Sequence, residues 1–280
     1  MQRNKTFFFL DWQGTRLKTG VVRTSTVPTS EQRQGVFTVP VYDASSTRLT
    51  ESGYARDPFP GGVIPTARFD AATLKVLGRY PLPNVLVGGS EAVANNYTRV
   101  GNDSVGQDQF DSRLDRHFGA RQRLFGRYSY LRDHSRPTTP LPDGSGNITA
   151  GVIGDTLTRA DALAAEHTFT LSPAAVNQLR FGYTRRGFER SALRLDQPVS
   201  TLTGIPNIPA TVFSDVLPVY QVVGYQQLGP PSNSNAQFTT SVTQLESTEF
   251  QPIGLPWVPQ SAWSAVSARY SGRSTGQPDV

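Results

Sequence analysis

The sequence predicts an all-β fold: a partial antiparallel transmembrane β-barrel of about five or six strands, incomplete by itself, with long surface loops that contain short helices. Two observations predict it. A pair of alternating apolar and polar stretches, each about ten residues long and joined by a tight turn, occurs over 109–132 and again over 162–186. About ten residues is what a tilted strand needs to cross a bilayer. The connections also alternate, short at 119–122 and 172–176 but long at 13–107, 133–159 and 188–237. A chain threading a barrel has that rhythm, whereas compact soluble domains seldom need repeated loops beyond about 15 residues.

Taken in order, residues 5–12 read as a strand, with Phe7 and Phe9 opposite Phe8 and Leu10. The basic start and four apolar residues before Asp11 are too short for the core of a signal peptide, so no export signal is expected in the chain as given. In the first long connection, Thr29 and Gln32 after Pro28 predict a short helix closed by a capping box. Asp70 opens a second helix to about Tyr80, with Leu74, Leu77 and Tyr80 on one face and Pro81 as its stop. Residues 58–65 and 87–96 are turn-rich, and 133–155 and 196–235 read as loops. A further strand begins at Ala236 and reaches Gln244. After Leu245 the alternation disappears, and Pro252, Pro256 and Pro259 argue against another spanning strand.

Side-chain parity divides these stretches into two faces. In the second pair Leu163, Phe169, Leu171, Leu179, Phe181 and Tyr183 are expected to face lipid. Glu166 and Arg180 take the opposite side. In the first pair Phe110, Leu114, Phe118, Leu124, Tyr128 and Tyr130 form the apolar set. Asp111, Arg113, Asp115 and Arg127, together with His117, Phe125 and Ser129, form the set expected to face a lumen. Arg116 falls on the apolar side, where it belongs only near a membrane edge, its head reaching the lipid head groups. A soluble sheet with one face on a core gives the same alternation, but requires Leu179, Phe181 and Tyr183 to be buried under a second layer.

Composition removes several classes of function. No run approaches the roughly 18 apolar residues of a membrane helix. Without cysteine there is no disulfide, thiol nucleophile or thiolate metal site. The net charge of +5 comes from 24 Arg and 3 Lys against 22 acids, yet the arginines are scattered singly rather than clustered among stacking aromatics, which argues against nucleic acid. Catalysis is not expected: Gly144 and Gly146 lack the third glycine of a dinucleotide loop, and no phosphate loop, nucleophile elbow or zinc-protease motif occurs. His117, His134 and His167 lie far apart in sequence, and Asp103, Asp108, Asp111 and Asp115 lack the spacing of a calcium loop, so neither a metal nor a cofactor is expected.

An ordered series of segments resembles TonB-dependent outer-membrane receptors of the Oar-like type, whose complete members carry a carboxypeptidase-regulatory-like domain, a plug and a large barrel. The segments are 4–14 (NKTFFFLDWQG), 27–35 (VPTSEQRQG), 64–70 (IPTARFD), 80–84 (YPLPN), 95–97 (NNY), 108–115 (DQFDSRLD), 123–129 (RLFGRYS) and 171–183 (LSPAAVNQLRFGY). The resemblance covers 4–244. It implies a barrel fragment in the cell outer membrane that takes part in energised ligand uptake, with the TonB complex, outer-membrane lipid and an unidentified ligand as partners. Tyr54, Arg56, Tyr80, Tyr220 and Tyr225 are the loop side chains placed to meet ligand. The plug and TonB box lie outside the matching segments, and 245–280 does not match, so the chain is expected to be a fragment that ends in a shifted reading frame or a truncation. A surface adhesion or secretion-linked barrel without transport is the alternative function.

Overall fold

Residues 5–146, 154–173, 175–191, 204, 217–229, 236–250 and 263–274 are described by the computed structural model. The chain starts with a long strand, β1 (Thr6–Ser25), and the first connection holds α1 (Ser30–Arg33), β2 (Arg48–Thr50), β3 (Gly53–Ala55), α2 (Ala71–Leu77), β4 (Leu86–Val87) and β5 (Ser90–Glu91). Six more long strands follow: β6 (Tyr97–Phe118), β7 (Gln122–Arg136), β8 (Asp155–Ser172), β9 (Ala175–Ser191), β10 (Ala236–Phe250) and β11 (Trp263–Ser274). The seven long strands form one sheet in the order β1-β6-β7-β8-β9-β10-β11, antiparallel throughout. Each long strand therefore pairs with the next one in the chain, and the sheet is open, with β1 and β11 at its edges.

The strands are longer and more numerous than the sequence suggested. β1 and β6 have 20 and 22 residues, about twice a bilayer crossing. The expected loop 13–107 shrinks to 26–96 because 13–25 and 97–107 pair in register from Gln13↔Gln109 to Ser25↔Tyr97. The other long connections become 137–154 and 192–235. Alternation is weak in the added segments because a strand standing above the membrane meets water on one side and polar loop backbone on the other, and nothing selects an apolar face. The irregular tail is also corrected: β10 continues to Phe250, and β11 pairs with it from Ser247↔Trp263 to Ala236↔Ser274. Pro252, Pro256 and Pro259, which argued against a further strand, precede β11 and lie outside the described residues.

Register across the sheet sorts the side chains into two faces. Asp111 stands opposite Asp11 and Ser129, and Glu166 opposite Phe125 and Arg180, so these belong to one polar face. The other carries Phe8, Leu10 and Trp12 on β1, Phe110 and Leu114 on β6, Tyr128 and Tyr130 on β7, Leu163 and Phe169 on β8, and Leu179, Phe181 and Tyr183 on β9. Among the described residues no second layer covers this apolar face: Leu163 is 43%, Leu179 40% and Phe181 36% exposed. The buried layer demanded by a soluble sheet is not found over these residues.

Burial is concentrated instead in the connections. Val27, Val76, Tyr80, Leu141, Leu217 and Leu228 form one cluster drawn from three of them. At its base Asn96 is fully buried; its amide accepts from Val27 N at 2.7 Å and donates to Val27 O at 2.8 Å. The predicted capping box is present at α1: Thr29 Oγ1 accepts from Gln32 N, and Gln32 Oε1 from Thr29 N. Gly35, at φ 85°, ends that turn in a left-handed conformation that other residues adopt only with strain. α2 starts as expected at Asp70, whose carboxylate accepts from Thr73 N at 2.8 Å. It stops at Leu77, earlier than the sequence suggested, and buries Val76 while leaving Leu74 44% exposed.

Replacing Asn96 with Leu leaves Val27 N–H and C=O unpaired in a dry site. The expected cost is about 2–4 kcal/mol to the loop cluster, read as faster hydrogen exchange across 26–29 and 84–97 with the sheet amides unchanged.

Candidate functional site

The polar face is a ladder of paired charges. Asp111 accepts from Gln109 Nε2 at 2.8 Å, Arg127 Nη2 at 2.9 Å and Ser129 Oγ. Asp115 accepts from Arg113 through both Nε (2.6 Å) and Nη2 (3.0 Å), and from Arg123 at 2.9 Å. Glu166 accepts from Arg180 Nε at 2.9 Å and from Thr168 at 3.1 Å, and Arg180 also reaches Gln178 and, at 3.9 Å, Glu246. All six residues expected to face a lumen thus share one face in three joined pairs. Phe125, grouped with them by parity, lies under Arg113, the guanidinium carbon 4.4 Å from the ring centre. Asp108, one of four clustered acids in the sequence, points to the opposite face and pairs with Arg16 at 2.7 Å.

At the loop end the same face is roofed. Arg99 Nη1 donates to Thr139 O (2.6 Å), Thr139 Oγ1 (2.7 Å) and Leu141 O (2.8 Å). Asp103 accepts from Thr138 N at 2.6 Å and pairs with Arg23, which donates to Thr138 O. Arg23, Arg99 and Asp103 all have polar-face parity, so the second connection is drawn over the polar side of the sheet. The third joins it, with Gln226 N donating to Thr26 O at 2.8 Å and Gly229 N to Ser145 Oγ at 3.0 Å. These anchors were missed because they lie in segments read as loop. Their signal was an arginine repeated on one parity at 23 and 99, legible only once the strands are known to extend that far.

Within this cap a cavity of about 440 Å³ opens between the first and third connections, lined by Phe37, Ile64, Phe69, Leu77, Tyr80 and Tyr225 among others. Arg33 at its wall is a staple, donating to the carbonyls of Pro28, Leu77, Tyr80 and Pro81; burial lowers its pKa, against the opposing pull of Glu91 and Tyr80. The Tyr80 hydroxyl donates to Gln226 O at 2.6 Å. Burial pushes that phenol up to about 12, helped by Asp143 and Tyr225. Of the five loop residues expected at a ligand site, Tyr80 and Tyr225 line this cavity and Tyr220 packs on the buried cluster. Tyr54, 82% exposed, and Arg56 stand apart on the β2–β3 hairpin.

An open antiparallel meander with one exposed apolar face, one ion-paired face and its long connections gathered at one end defines the wall of an outer-membrane-type barrel. The family model described as "Outer membrane beta barrel domain" matches residues 1–249, and the chain belongs to that family. Its place is the outer membrane. Comparisons with curated proteins and with solved structures gave no match.

Phe181→Arg, in mid-belt, is expected to cost about 2–4 kcal/mol and to lower the amount of folded protein in outer membranes, whereas Thr184→Arg on the polar face leaves it unchanged; heat-modifiable gel mobility reads both. The cap should also respond to pH at two ends. Tyr80 has a raised pKa, so its contribution is complete below about 10 and is lost as pH rises toward about 12. Glu91 and Asp70 are held below the usual carboxylate range by hydrogen bonds from Ser30 and from Thr73, so theirs is present above that range and lost as pH falls through their lowered values. Near-ultraviolet tyrosine circular dichroism should show both transitions, and Tyr80→Phe should reduce the alkaline one to the part carried by Tyr220 and Tyr225, whose pKa values burial also raises.

Proposed function

We propose that this chain is barrel wall and loop cap of a TonB-dependent receptor of the Oar-like type, which takes up a ligand across the outer membrane with energy supplied by the inner-membrane TonB complex. The observation that best supports this reading is the roof over the polar face. Arg23, Arg99 and Asp103 hold the second connection over that face, the third is tied to the second through Ser145 and Gly229 and to the first through Thr26 and Gln226, and a cavity of about 440 Å³ lies between the first and third. A cap that binds a ligand directly above a hydrogen-bonding wall passes it from an aromatic pocket to a lined path. Adhesion needs the pocket but not the path. In this reading Tyr80 and Tyr225 meet ligand, and the Asp111, Asp115 and Glu166 pairs line the route.

The test uses cells that carry or lack the full-length protein, offered fluorescent siderophores, oligosaccharides and peptides too large for general porins. One of these classes is expected to accumulate only with the protein present and to stop when the proton gradient is dissipated. Tyr225→Ala should lower that accumulation about tenfold, the factor for roughly 1.4 kcal/mol of lost binding. Surface binding without gradient-dependent entry would replace uptake by the adhesion reading.

A further inference from the structure

The apolar face gives way abruptly to charge at its loop end. Arg132 of β7 and Arg159 of β8 are register partners there, both exposed, and like charges set directly opposite on one face repel. Arg185 of β9 lies diagonally beside them, opposite Asp161. None of the three arginines has a hydrogen bond or ion pair among the described residues, whereas nearby Arg16 is paired with Asp108 and Arg136 with Asp155. Of the acids on this face, Asp155 is shared with His134 and Asp161 accepts from the Tyr128 hydroxyl at 2.7 Å. Asp161 and Glu189 line the same depression as Arg159 and Arg185.

That depression has a volume of about 330 Å³ and is floored by Gly187, with Gln237 and Thr239 as further polar walls. A side chain at Gly187 would meet nothing within 4 Å, so the hollow exists because this position carries none. Its depth is set by the strand. From Leu171 to Arg159 is twelve residues along β8, about 40 Å of strand and about 30 Å along the membrane normal at a 40° tilt. An apolar band is about 25 Å tall, so the hollow sits at head-group level on the long-loop side, which is the outer surface.

We propose that the hollow at Gly187, lined by Arg159 and Arg185 and flanked by Arg132 beyond Arg159, is a binding site for a phosphate-bearing head group of the outer-leaflet glycolipid. Guanidinium groups pair with phosphate through parallel N–H donors, and a phosphate held between Arg159 and Arg185 also offsets the repulsion of Arg159 by Arg132. Gln237 and Thr239 supply neutral donors, and of the two carboxylates in the same wall Asp161 is occupied by the Tyr128 hydroxyl. The inference depends on the outer-membrane placement and not on the transport reading.

The experiment is native mass spectrometry of the full-length protein extracted from outer membranes in mild detergent, with diphosphorylated lipid A and its dephosphorylated form offered as probes. The wild type is expected to retain the phosphorylated form at least tenfold better. Arg159→Gln with Arg185→Gln should weaken retention about tenfold or more, the corresponding double Lys variant should keep most of it, and Arg48→Gln on the distant hairpin should change nothing. Gly187→Ile fills the hollow without altering charge and should weaken retention as well, which keeps the test decisive if the double Gln variant folds poorly. Equal retention of the two lipids, retention unaffected by Gly187→Ile, or competition by millimolar free phosphate as strong as by the lipid would overturn the proposal.

Discussion

Backbone hydrogen bonding between neighbouring strands is the interaction on which the rest of this structure depends. In hydrocarbon an unpaired N–H or C=O costs several kcal/mol, so a membrane sheet is viable only where each strand is paired on both sides. Five of the seven long strands meet that condition, and β1 and β11 meet it on one side each. The ladder also explains why β6 stays extended through Gly101, Asn102 and Gly106, residues with little intrinsic preference for a strand. A partner on β1 at each of these positions outweighs a propensity difference of about 1 kcal/mol.

Pleating then lets one set of strands serve two media. The apolar side needs no polar partner, and the polar side gathers its charges within hydrogen-bonding distance. Those ion pairs are not the source of stability: their arginines are about half exposed, and such pairs contribute about 0–1 kcal/mol. Their effect is on shape and charge. Asp115 between Arg113 and Arg123, and Arg180 between Glu166 and Glu246, fix side chains across neighbouring strands and bring the wall close to neutrality, leaving hydrogen-bonding atoms along its surface.

What this chain buries as a conventional core is found in its loops. Val27, Tyr80, Leu141, Leu217 and Leu228 come from three connections separated in sequence by pairs of long strands, and each buried apolar side chain contributes about 1.5–3 kcal/mol. The polar half of the cap matters as much. Arg33 and Arg99 together donate to six backbone carbonyls and a hydroxyl, supplying partners to acceptors that the cap withdraws from water. Arginine suits this role because its five donors are held in a fixed plane.

The fold class was legible in the sequence because the membrane imposes a period of two wherever a strand crosses it. Leu163 to Leu171 and Leu179 to Tyr183 alternate for that reason, and Thr29 with Gln32 and Asp70 announced their helices because a cap is a local contact among nearby residues. The sequence by itself therefore determined the faces, the short turns, both helix starts and the short-long order of connections. Only the tertiary structure decided how far β1, β6 and β10 run, that β11 exists, and which loop residues meet. The physical reason is the same throughout: above the membrane no lipid selects an apolar face, so register is set by pairing with residues far away in sequence, as between Thr15 and Gln107, and pairing at that range leaves no periodic mark in either segment.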